Sequence, residues 1–150
     1  MIPTTVISVR WITRARRAEL EADPASGAFS DHARWLVRAY AGCLVELHAM
    51  YEIDRPFTVG FLLSENVAAE CEQNSEDGLV YYLNPCVVGK TRSKRKCRKA
   101  NRYQILAAAA HEFIHGGLDE RYHDEGFAGG LTAVMARVLA ASRDFGRHLA

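Results

Sequence analysis

The chain has 150 residues, a quarter of them charged, and a formal net charge of +1 at neutral pH. A balance this even selects no nucleic acid, membrane or acidic partner through whole-molecule electrostatics. The length suits one domain, residues 1–150, able to bury a core without covalent staples, and no apolar run approaches the roughly 20 residues of a membrane span.

At the start, Met1-Ile2-Pro3-Thr4-Thr5-Val6 has no basic stretch ahead of an apolar one, so no secretory leader and a cytoplasmic setting are expected. Cys43, Cys71, Cys86 and Cys97 lack C-x-x-C spacing. In that setting they are expected as free thiols, with a Cys86–Cys97 bridge as the alternative. Residues 5–12 alternate, with Ile7, Val9 and Trp11 on one side and Ser8 and Arg10 on the other, which predicts a strand with one buried face. Residues 13–29 are polar and broken by Asp23-Pro24 and Ser26-Gly27, a helix fragment plus loop. Ser30 or Asp31 then caps a long helix to about Asp54, with Leu36, Tyr40, Cys43, Leu47 and Met50 as its apolar stripe and Pro56 beyond its end.

Residues 57–63 form a short apolar run of strand type. Residues 64–78 are an acidic connection closed by Asp77-Gly78, and residues 79–83, rich in Val and Tyr, make a second strand. The two strands are expected to pair as an antiparallel ribbon, although fifteen residues is long for a hairpin connection. Residues 89–102 follow as a basic loop. Eight of these fourteen residues are basic, and they include all four lysines of the chain. Two readings stand. The segment is a solvated loop, or it contacts phosphates through Lys90, Arg92, Lys94, Arg95, Lys96, Arg98 and Lys99 with steep salt dependence. No aromatic is interleaved before Tyr103, so base stacking is not expected.

A helix from about Asn101 to Gly116 carries His111-Glu112-Phe113-Ile114-His115. Histidines four apart leave one helix face a turn apart, as two ligands of a zinc ion would. Glu112 points beside such a metal, where it can take a proton from a metal-activated water. Gly116-Gly117 is a plausible helix end that turns the chain back toward His123, the expected third ligand. Asp124 either accepts a hydrogen bond from a ligand imidazole or caps the last helix. That helix runs from about Asp124 to Ser142 on a stripe of Phe127, Leu131, Val134, Val138 and Ala141. Gly126, Gly129 and Gly130 are expected to permit close contact with another helix. The longer H-E-x-x-H-x-x-G-x-x-H spacing fails, because Leu118 and Arg121 stand where its glycine and histidine would be. For the oxyanion of an amide hydrolysis, Tyr122 is the first choice of donor, ahead of Arg121 and Tyr103.

His-Glu-Phe-Ile-His, a short loop and His-Asp-Glu-Gly-Phe resemble the H-E-x-x-H…H-x-x-x-F pattern of SprT-like and WLM-type minimal zincin metallopeptidases. The resemblance covers roughly residues 79–140 and about six specific positions. It implies an α+β, zincin-like domain: a short mixed or antiparallel sheet packed by a long N-terminal helix and two metal-bearing C-terminal helices. An edge strand, expected at residues 79–83, would lie beside the cleft. It implies Zn²⁺ on His111, His115 and His123, Glu112 as general base, and hydrolysis of a protein or peptide substrate. The chain departs from the pattern in lacking a cysteine zinc module after the core and in carrying the basic segment. A non-catalytic nucleic-acid- or protein-binding domain with a structural metal, or a zinc amidase on a non-peptide substrate, stays open beside the peptidase. Glu112 favours the hydrolases, since a structural site has no use for a base. A monomer without membrane contact is expected.

Overall fold

Leu36, Tyr40, Cys43, Leu44 and Leu47 recur at helical spacing and are fully buried, which makes α1 (Asp31–Met50) the helix around which the rest packs. The structure, a computed structural model, describes residues 5–6, 31–61, 67–74, 78–84, 88 and 94–150. The helix stops four residues short of the expected Asp54. Tyr51 N–H donates to the Leu47 carbonyl and Ile53 N–H to that of His48, while Glu52 takes a left-handed φ of 54° that ends the helical run.

The sheet has the order β1-β2-β4-β3, with β1 at Thr5–Val6, β2 at Phe57–Phe61, β3 at Ala69–Asn74 and β4 at Gly78–Leu83. Only Thr5–Val6 of the strand expected at 5–12 is described, and the helix fragment at 13–29 lies outside the described residues. The expected antiparallel ribbon is corrected: β2 and β4 pair in parallel, from Phe57 opposite Leu79 to Phe61 opposite Leu83. The antiparallel partner of β4 is β3, inside the segment read as an acidic connection. That segment was too long for a loop because it holds a strand. Its period-two pattern sets Ala69, Cys71 and Gln73 opposite Leu83, Tyr81 and Leu79, and Glu70 and Glu72 opposite Tyr82 and Val80. Residues 79–83 are therefore interior, buried throughout, and β3 is the edge strand beside them among the described residues.

The helix with the histidine pair, α2, spans Lys94–Gly116, so the basic loop is also corrected. Lys94, Arg95, Lys96, Arg98 and Lys99 stand on its first turns, as Lys and Arg, being good helix formers, allow. Lys90 and Arg92 lie outside the described residues. The last expected helix is α3 (Glu125–Ala140), and past Ala141 (φ −105°, ψ 29°) a further helix, α4 (Ser142–His148), follows that the sequence reading did not foresee. Phe127, Val134 and Val138 of α3 join Ile105, Ala109, Phe113 and Ile114 of α2 and the α1 stripe in one core, together with Tyr81 and Leu83. The class is α+β, and no helix among the described residues is long and apolar enough to cross a membrane.

One polar group is buried where α1, β4 and α2 meet. His48, 4% exposed, packs its ring 4.4 Å from that of Phe57 and 5.2 Å from that of Phe113. Its Nε2 lies 2.9 Å from the Tyr81 hydroxyl. Burial holds the phenol above its ordinary range, so the hydroxyl keeps its proton and donates to a neutral imidazole. Burial likewise pushes His48 down to about 4. Between about pH 6.5 and 4 the unfolded chain therefore binds a proton that the folded chain refuses, and stability falls as pH falls through that window. Denaturant unfolding is expected to show wild type losing about 2 kcal/mol more between pH 7 and pH 5 than His48→Asn, which lacks that titration; equal losses would remove His48 as the cause.

Candidate metal centre

The centre begins with the way α2 ends. Gly117 N–H and Leu118 N–H both donate to the Phe113 carbonyl, Glu120 N–H donates to that of Ile114, and Asp119 takes the left-handed φ of 56°. The turn back is thus made at Asp119, and the two glycines serve a different need. A Cβ on Gly116 would fall 2.9 Å from both Leu79 Cδ1 and the Tyr81 hydroxyl, and one on Gly117 would fall 2.4 Å from the Phe113 ring. Both positions let the helix end touch the core more closely than any side chain allows. Arg55 Nη1 donates to the Gly116 carbonyl at 3.3 Å and satisfies one of the terminal acceptors. By contrast, Gly129 has no neighbour where its Cβ would be, and Gly130 meets Ile114 at an ordinary 3.6 Å. The expected close helix contact at Gly126, Gly129 and Gly130 is absent.

After the turn the chain passes Arg121 and Tyr122, and His123 swings over the helix it has just left. The three imidazoles converge: Nε2 of His111 and His115 are 3.2 Å apart, those of His115 and His123 3.0 Å, and those of His123 and His111 3.1 Å. His115 Nδ1 lies 2.6 Å from the Glu120 carbonyl, which can only accept, so Nδ1 carries the proton and Nε2 presents its lone pair. Burial first, then the neighbouring His115 and His123, lower the His111 pKa and favour its neutral form. Three such nitrogens facing one another suit a cation between them. Zinc–nitrogen bonds of about 2.0–2.1 Å at tetrahedral angles set ligand nitrogens about 3.3 Å apart. The group His111, His115 and His123 can hold a metal ion.

Phe127 floors all three imidazoles, with its ring centroid 4.9 Å from those of His111 and His115 and 4.7 Å from that of His123. Its own position is set by Asp124, whose carboxylate accepts from Phe127 N–H at 3.0 Å as the N-cap of α3. Of the two expected roles, Asp124 thus fills the cap, and the orienting acceptor for a ligand imidazole is the Glu120 carbonyl. Backbone acceptors leave no mark in a sequence, so Glu120 was not to be found there.

Glu112 lies beside the trio, with Oε1 4.0 Å from His111 Nε2. It is 7% exposed, and burial, with a smaller push from Glu70, raises its carboxyl to about 7. A cavity of about 420 Å³ opens over the site, lined by all three histidines, Glu112, Arg121 and Ala69, Glu70 and Cys71 of β3. The β3 residues are the members that motif spacing missed, with the alternation of residues 69–73 as the available signal; Arg121, weighed behind Tyr122 as a donor, lines the cavity. Burial, then Glu112, pushes the Cys71 thiol up to about 12, and the convergent group of possible ligands is His111, His115 and His123 without Cys71. Tyr122 is 75% exposed and does not line the cavity, and Tyr103 is 66% exposed. No protein-family model, curated protein or solved structure matches the chain.

Purified protein is expected to take up one equivalent of zinc per chain. His123→Ala, at an exposed position, is expected to keep the fold but lose at least about 100-fold in zinc affinity, measured by chelator competition with circular dichroism as the folding control. Unchanged affinity would exclude His123 from the centre. Gly117→Ala is expected to cost about 1–3 kcal/mol of unfolding free energy through the clash with the Phe113 ring; an unaltered denaturation midpoint would show that the ring yields freely.

Proposed function

We propose that the protein is a zinc-dependent peptidase of the minimal zincin type, with His111, His115 and His123 as ligands and Glu112 as general base. The observation that carries this reading is a buried carboxyl beside the three convergent nitrogens, opening into the same cavity without joining the ligand set. A structural zinc site is typically closed by four protein ligands, whereas the described residues here offer three and a cavity. Zinc bound there would supply a Lewis acid that polarises a carbonyl and brings a water pKa to about 7.

The chain's own groups do the rest. Glu112 accepts the proton of the attacking water and passes it to the leaving amine, which its raised pKa suits at neutral pH. Arg121, whose guanidinium is a fixed positive charge on the cavity wall, is the donor we place at the developing oxyanion in preference to Tyr122. Phe127 and Asp124 keep the three imidazoles in place while charge moves. An extended peptide would add along β3, which has β4 as its one strand neighbour among the described residues. Main-chain hydrogen bonds there give affinity with little demand on sequence. The basic turns at Lys94–Lys99 lie at least twelve residues, roughly 18 Å, along α2 from His111, so a phosphate contact there leaves the cleft free.

Glu112→Gln is expected to keep its zinc and to lose peptidase activity on unfolded casein by at least about 100-fold. Arg121→Ala is expected to lower kcat by about 100-fold with little change in zinc content, and Tyr122→Phe to leave it unaltered. Undiminished cleavage by a folded, zinc-loaded Glu112→Gln protein would overturn the mechanism.

A further inference from the structure

The outward face of α3 is apolar where a surface helix ordinarily carries charge. Ala128, Thr132, Ala136 and Leu139, at spacings of four, four and three, share one side of it, with Gly129 and Ala133 beside them. All six are exposed, and Leu139 is 74% exposed. From Gly126 to Ala140 the single charged residue is Arg137. It is held to the flank, with its guanidinium 4.3 Å over the Tyr51 ring and Nη2 donating to the Met50 carbonyl. The Thr132 hydroxyl is bonded within the helix, donating to the Ala128 carbonyl at 2.9 Å. Exposed positions of α1, by contrast, hold Arg34 and Arg38. A helix that is apolar on both faces is one that packs on both.

Gly129 marks how close the second contact comes. Outside its own stretch of helix, no described atom lies within 4 Å of the place a Cβ would take there. Glycine in a helix interior lowers helix propensity, and no described contact of the domain requires it at this position. The bare backbone has a use where another helix crosses, since it admits that helix at the short end of the roughly 8–10 Å range of axis separations.

We propose that α3 pairs with α3 of a second copy of this chain, antiparallel about a two-fold axis, in a transient homodimer. An isologous contact lays one patch on the same patch of its partner, so the patch has to match itself end for end. Glu125 is exposed at the start of α3, and Arg143 is exposed three residues past its end. Antiparallel pairing sets each Glu125 against the partner's Arg143, and lays the two helix dipoles side by side in opposite sense. A parallel pair would set like charges together at both ends. The 16 residues of α3 make a helix roughly 24 Å long. One helix pair of that length covers less than the roughly 1,200 Å² of stable complexes, which makes the association a weak one.

Sedimentation equilibrium of the zinc-loaded full chain from roughly 10 µM to 1 mM is expected to show the mean mass rising from one chain toward two and no further. Ala133→Glu, in the middle of the face, is expected to hold the chain monomeric across that range. Gly129→Leu is expected to weaken association at least about tenfold while raising the denaturation midpoint in dilute solution, because leucine is the better helix former. Glu125→Arg and Arg143→Glu are each expected to weaken it about fivefold, and the two together to return it to within about twofold of wild type. Circular dichroism in dilute solution checks the fold of every variant. A wild-type chain still monomeric at the highest concentration overturns the proposal. Association that survives both Ala133→Glu and Gly129→Leu lies on another face and overturns it equally. A double charge reversal that leaves association as weak as either single one sinks the antiparallel arrangement, and growth past two chains sinks the closed dimer.

Discussion

The close approach of the end of α2 to β4 sets where everything in the site lies. Gly116 rests against Leu79 and Tyr81, and Gly117 against the ring of Phe113, at distances no Cβ tolerates. Beneath them the Tyr81 hydroxyl meets the buried His48, and the end of the helix is held by Arg55. With the last turn of α2 pinned to the sheet, His111 and His115 acquire a fixed direction and Asp119 a fixed starting point for the return. The position of His123 follows from that turn. A shift of the helix by one residue would rotate both histidines by about 100° away from the cleft.

Around this frame the electrostatics favour neutral nitrogen ligands and one basic carboxyl. His115 is held as the Nδ1–H tautomer by a main-chain carbonyl, and burial together with its two neighbours favours neutral His111. The same burial lifts Glu112 and holds the nearby Cys71 as a thiol. One low-dielectric wall, made by Phe127 and the start of β3, thus produces both halves of the proposed chemistry. Three convergent imidazoles could hold a cation, and the carboxyl's affinity for a proton matches neutral pH.

β3 turns its acidic residues to the face shared with Val80 and Tyr82, while Ala69 and Cys71 share the face of Leu83 and Tyr81. Had the strand been paired one residue out of step, Ala69 and Cys71 would have left the face of Leu83 and Tyr81. Register, set by strand pairing, therefore decides which β3 residues face the helix.

Local periodicity was enough to read α1 from Leu36, Tyr40, Cys43 and Leu47, and motif spacing was enough to select His111, Glu112, His115 and His123. These are short-range properties: side chains three or four apart on a helix share a face whatever surrounds them, and His123 is only eight residues from His115. Non-local contacts decided the rest. A strand of alternating acidic and small residues resembles a polar loop until Leu79, Tyr81 and Leu83 stand opposite one face of it, so the alternation at residues 69–73 acquires its meaning in the sheet. Parallel pairing of β2 with β4 could not be read from two apolar runs, because the hydrogen bonds that distinguish it from a hairpin lie between strands, not within them. The role of Asp124 depended on where Phe127 N–H points, and that of Glu120 on a main-chain oxygen that every residue possesses. Sequence alone determined which atoms are available to hold a metal; the tertiary structure determined that three of them converge, because only packing around a pinned helix end brings a residue from beyond the turn back over its face.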